Sequence, residues 1–130
     1  MRVFFWVAAG TVFLAQPVVA APAAPTINGV DRDALCYFVF RDLATLYTQF
    51  KDKLSPKDAE AASHFEGHSD YFAGRLVARF TGVALAAATK AAQAEFTKRN
   101  KGDGLDAITE DCINAYFDGQ RLIDDTVPVL

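Results

Sequence analysis

The chain has two cysteines, Cys36 and Cys112, standing toward opposite ends of its folded portion, and whether they join decides which architectures are open to it. The answer turns on the compartment, and residues 1–20 speak to that. Arg2 gives a short positive start, Val3 to Ala15 is an unbroken apolar run, and Gln16-Pro17 leads into the small residues Val18 to Ala21. This is the three-part pattern of a secretory signal peptide. A bilayer-spanning helix needs about 20 apolar residues, and the run stops short at Gln16. Cleavage is expected after Ala20, with Ala21 and Ala23 as alternatives. No cysteine follows the run closely, so no lipid anchor is expected. The mature chain is expected to be periplasmic or secreted, with no stable membrane anchor.

In an oxidising compartment an even cysteine count reads as a disulfide. Joining Cys36 to Cys112 closes a loop of about 75 residues, worth on the order of 4 kcal/mol in the chain-entropy description. Redox-active pairs usually sit close together as Cys-x-x-Cys, and these do not.

With 130 residues, 52% of them apolar and 22% charged, the chain has the size and composition of one soluble domain. Arg2 is the sole charge in residues 1–20, so its loss takes the net charge from -3 to -4. No basic stripe or run of like charge occurs, which speaks against nucleic acid and anionic membrane surfaces as partners.

Helical periodicity fills the rest. Residues 21–30 hold Pro22, Pro25 and Asn28-Gly29 and read as a flexible leader. From Asp31 or Asp33, either able to cap a helix, Leu35, Val39, Leu43, Leu46, Phe50 and Leu54 recur at helical steps and predict a helix over 33–53. Ser55-Pro56-Lys57-Asp58 starts a second, running to about Phe80 unless Gly67 breaks it. Thr81 caps a third over 83–98, and the loop 100–104 leads to a fourth from Leu105 to about Ile123. Pro128 cannot continue that last helix, and Asp124-Asp125 opposes its dipole. The expected fold is all-α, a four-helix up-and-down bundle over 31–130 stapled by one disulfide.

Glu60, His64 and His68 fall at four-residue steps, which would place them on one helical face as Zn or Cu ligands. The order His64-Phe65-Glu66-Gly67-His68 is not that of a zinc protease, and a spaced histidine pair on a solvated helix carries no role by itself. A mid-helix glycine permits close backbone approach, so Gly74 with Tyr71 and Arg75 is a second candidate site, with Gly119 as the matching small residue. Nucleophilic catalysis has little to build on: Ser55, Ser63 and Ser69 are the serines of the mature chain, and Ser69 points away from His68 on a helix. No catalytic residue, cofactor or enzymatic activity is expected.

Aromatic residues are abundant, and Cys36-Tyr37-Phe38-Val39-Phe40 is apolar all round, more than one helix face can bury. The cover is expected from the tail 127–130, a second copy, or a client or ligand. Hence the expected function is a periplasmic interaction module binding a protein partner or client, or self-associating. The alternative is a metal or small-ligand binder using the His64/His68 face.

The layout Cys36, Tyr71-Phe72-Ala73-Gly74-Arg75-Leu76, Cys112 resembles a family of small, uncharacterised exported helical proteins of Gram-negative bacteria. The resemblance spans most of the mature chain and implies a fold and compartment, with no activity attached. In size, and in a long-range disulfide on a helical frame, the chain is also similar to the small periplasmic acid-stress chaperones.

Overall fold

The computed structural model describes residues 24–126. The expected signal peptide and the tail 127–130 lie outside them. A two-stranded antiparallel hairpin, β1 (Thr26–Ile27) and β2 (Val30–Asp31), leads into five α-helices: α1 (Arg32–Phe50), α2 (Pro56–Ala62), α3 (Phe65–Arg79), α4 (Gly82–Asn100) and α5 (Leu105–Thr126). The fold is therefore all-helical apart from that hairpin. No described helix is long and apolar enough to cross a membrane.

Of the flexible leader expected over 21–30, residues 21–23 lie outside the described residues, and from Thr26 onward the hairpin takes its place. Asn28 and Gly29 both take left-handed backbone, with φ of 52° and 80°, the conformation that a two-residue turn matching strand twist demands. Ile27 and Val30 rest on the core, and the Asn28 side-chain amide donates to Glu95 of α4 at 3.2 Å. Asp31 then caps α1, accepting from the Ala34 amide at 3.0 Å. Asp33, the other expected cap, is drawn inward instead.

Ser55 starts α2 as its sequence predicts. Its hydroxyl oxygen accepts from the Asp58 amide at 3.2 Å, and the hydroxyl donates to the Asp58 carboxylate at 2.6 Å. The expected second helix is two helices, and the break falls at Ser63-His64 rather than Gly67. Ala62 is buried at the end of α2, so the chain must change direction there to lay α3 along α1. Gly67 sits inside α3, where an added side chain would meet open space. Thr81 is extended at the head of α4 but makes no side-chain capping bond. The last helix runs past its predicted end at Ile123 to Thr126, whose hydroxyl donates to the Leu122 carbonyl at 2.9 Å.

Helix α1 is the hub, touching α2, α3, α4 and α5. Asp33 reaches Arg75 and Arg79 while Phe40 meets Phe65, so α1 and α3 run antiparallel. Phe38 stacks on Phe96 of α4 at 6.4 Å. The Cys36–Cys112 disulfide ties α1 to α5, both residues being fully buried. One turn onward the His68 ring touches both Phe40 and Tyr116, so contacts advance in the same direction along α1 and α5. A central helix with neighbours around it thus takes the place of the four equal corners of an up-and-down bundle.

Candidate partner-binding groove

The apolar face of α1 is covered over its first half and bare over its second. Leu35, Cys36, Val39 and Phe40 are buried. Phe40 lies under Phe65, His68 and Phe72, with ring centroids 4.9 to 6.1 Å away. Within the apolar stretch 36–40, Cys36, Val39 and Phe40 are thus covered from within the fold, while Tyr37 and Phe38 stay half-buried. The same face continues at helical steps through Leu43 and Leu46 to Phe50, then past a 3-10 turn (Lys51–Lys53) to Leu54. Leu46, Phe50 and Leu54 remain 43%, 46% and 36% exposed.

Helix α2 lies beside this bare half without closing over it. Between them runs a cleft of about 360 Å³, floored by Leu43, Tyr47, Ala61, Ala62 and Phe65. Asp58 is the charged side chain among the residues that line it. The Lys53 ammonium stands 5.6 Å from the Phe50 ring centroid. An apolar trough of this kind suits the apolar face of an amphipathic helix. A polar hollow of about 340 Å³ on another side of α1 involves Thr45, Glu66 and Asp70, with Arg41, whose guanidinium donates to the Tyr37 hydroxyl at 2.7 Å.

The structure separates the metal candidates. Glu60 ends up on α2 and is exposed, His64 heads α3 and is exposed, and His68 turns inward. Among the described residues no group of three His, Cys, Asp or Glu side chains is gathered that could hold a metal ion. His68 is boxed instead by aromatic rings, with Tyr116 at 3.9 Å, Phe40 at 4.9 Å, and Phe65 and Phe117 at about 6.5 Å. Its Nδ1 is buried without a hydrogen-bond partner. Burial among these rings, aided by the charge of His64, holds the imidazole below its ordinary value of 6.5.

No other backbone approaches Gly74, since a side chain there would meet open space, and Arg75 is drawn into charge pairing. Its Nε donates to Asp33 at 2.9 Å, and Arg79 donates to both Asp33 and Asp31 at 2.9 Å. Asp33 is wholly buried. For Asp31, partial burial alone would raise its titration; the hydrogen bonds from Arg79 and Ala34 outweigh that and hold it below 3.8. The close approach expected of a glycine occurs at Gly119, where an added side chain would run into the Tyr71 hydroxyl. Tyr71 and Arg75 of the Tyr-Phe-x-Gly-Arg-Leu segment thus serve packing and charge pairing.

The ionic knot escaped the sequence because Asp33 lies 42 and 46 positions from its partners. The groove had a legible signal: the apolar stripe of α1 continues past Phe50 to Leu54. No protein-family model, curated protein or solved structure matches the chain.

Proposed function

We propose that the chain is an exported helical module whose task is to hold an apolar helical segment of a protein partner in the groove between α1 and α2. One observation carries this reading: the buried face of α1 continues, uninterrupted in sequence, into Leu46, Phe50 and Leu54, which α2 leaves more than a third exposed along an open cleft. An uncovered stripe on an otherwise well-buried helix marks an interaction surface. The signal-like segment 1–20 and the long-range disulfide support an oxidising destination.

The test uses the mature, oxidised protein and two probes, anilinonaphthalene sulfonate and a designed amphipathic helix of Leu and Glu. Both are expected to bind the parent, and Phe50→Asp and Leu46→Asp to weaken each at least tenfold, about 1.4 kcal/mol. Equal binding to parent and variants would refute the groove as the site.

A further inference from the structure

We infer that the polar hollow between α1 and α3 binds a small basic amino acid of the lysine or arginine class, its carboxylate on Arg41 and its cationic groups on Glu66 and Asp70. The site is separate from the apolar groove and does not depend on that reading.

At about 340 Å³, the hollow lies at the lower end of the range for small-molecule sites, roughly 300–1,000 Å³. Three charged side chains line it, Arg41 from α1 and Glu66 and Asp70 from α3. The two acids stand one helical turn apart and so share a face. None of the three is ion-paired among the described residues, although opposite signs line one hollow. A gap therefore separates the guanidinium from both carboxylates, and a molecule charged at each end spans it.

The neutral part of the lining is poor in free donors. The hydroxyls of Thr45, Thr48 and Ser63 each donate to a backbone carbonyl about one turn back, at 2.9, 3.0 and 2.6 Å. The Ser69 hydroxyl donates to the Tyr37 carbonyl at 3.5 Å. With its one hydrogen engaged, a hydroxyl presents only lone pairs to a ligand. Arg41 is the one basic side chain of the lining, and one of its Nη groups already serves the Tyr37 hydroxyl at 2.7 Å. The ligand that satisfies such a surface is itself rich in donors.

Charge narrows the class further. Two carboxylates against one guanidinium leave the lining with one net negative charge. A basic amino acid has two cationic groups and one carboxylate, the inverse of that set. A guanidinium fork matches a carboxylate geometrically, and hydrogen bonds between ionised partners are the strong ones. A diamine has nothing for Arg41, while neutral and acidic amino acids lack the second cation that the paired carboxylates call for.

The mature, oxidised protein is titrated with L-lysine, L-arginine, cadaverine, norleucine and glutamate while amide proton–nitrogen spectra are recorded. Lysine and arginine should shift amides of 41–48 and 62–70 saturably, with Kd of about 1 mM or tighter. Cadaverine should bind about tenfold or more weakly, and norleucine and glutamate should give no saturable shift. Arg41, Glu66 and Asp70 are exposed, so their variants should fold, which circular dichroism checks. Glu66→Gln with Asp70→Asn should abolish lysine and cadaverine binding together. Arg41→Gln should bring lysine down to the level of cadaverine and leave cadaverine unchanged. Tyr37→Phe, which removes the hydrogen bond to Arg41 but keeps the guanidinium, should retain lysine binding.

An absence of saturable shifts with both lysine and arginine overturns the proposal. So does equal affinity for cadaverine or norleucine, or lysine binding that survives Glu66→Gln with Asp70→Asn. Shifts centred on Leu46, Phe50 and Leu54 would place the ligand in the groove and overturn it as well.

Discussion

The hydroxyl of Tyr71 lies where the side chain of residue 119 would stand if that residue were anything but glycine. Tyr71 also meets the Tyr116 ring at 5.1 Å and carries the Arg75 guanidinium 5.7 Å from its own ring centroid. One glycine on α5 thereby sets how deeply the aromatic layer of α3 can seat.

Opposite outcomes follow for two alanine substitutions. Gly119→Ala is expected to destabilise by about 1–3 kcal/mol through overpacking, with part of the loss recovered in a Tyr71→Phe background. Gly74→Ala, in the open interior of α3, is expected to stabilise by about 0.5–1 kcal/mol through helix propensity alone. Urea denaturation of the single and double variants checks both signs.

Asp33 is buried and accepts from Arg75 and Arg79 at 2.9 Å each, with Arg32 at 3.5 Å. Asp33→Ala is expected to cost about 3 kcal/mol, the usual scale for breaking a buried pair. The guanidiniums are partly wet, so Arg75→Ala alone should cost less. A double-mutant cycle of Asp33→Ala with Arg79→Ala should return a coupling above about 1 kcal/mol; additive losses would mean that the pair is not a unit.

Acidification acts through His68 before it reaches the carboxylates. The unfolded imidazole takes up a proton near 6.5, whereas the folded ring, depressed by burial and by His64, resists protonation. Protonation thus favours the unfolded state: stability is complete above that value and falls as pH drops below it, until the folded ring itself titrates. Asp31 contributes in a separate, lower window, its stabilisation being lost as pH falls below 3.8 toward its depressed folded value. His68→Phe should flatten the pH dependence of the urea midpoint between about pH 7 and about pH 5, leaving the lower limb intact.

The disulfide spans 76 positions and both its residues are buried. Replacing both cysteines with serine is expected to remove about 4 kcal/mol, mainly by freeing the unfolded chain. Dithiothreitol should reduce the native bond slowly and the urea-unfolded bond quickly, a contrast that thiol labelling followed by mass spectrometry reads directly.

Much of this architecture is written locally. The Leu35 to Leu54 stripe, the Ser55-Pro56 start and the cysteine pair each announce themselves through spacing or chemistry that one stretch of chain contains. What was not legible depends on partners distant in sequence. The two-residue strands at Thr26 and Val30 are too short to show alternation, so Asn28-Gly29 read as punctuation instead of a turn. The bend at Ser63-His64 has no proline or glycine to mark it; it follows from docking Ala62. Asp33 resembled a cap because its guanidinium partners belong to α3. Of the groove, the apolar lining was visible, but which half of α1 would stay bare depended on where α3, α4 and α5 came to lie.

The loop between α4 and α5 acquires a further meaning from the covalent tie between α1 and α5. A protease that cuts between Asn100 and Leu105 severs the backbone without freeing either piece, since sulfur still holds α5 on its hub. Such a nicked molecule would be heavier only by the one water added in hydrolysis, and its two pieces would separate on a gel only after reduction.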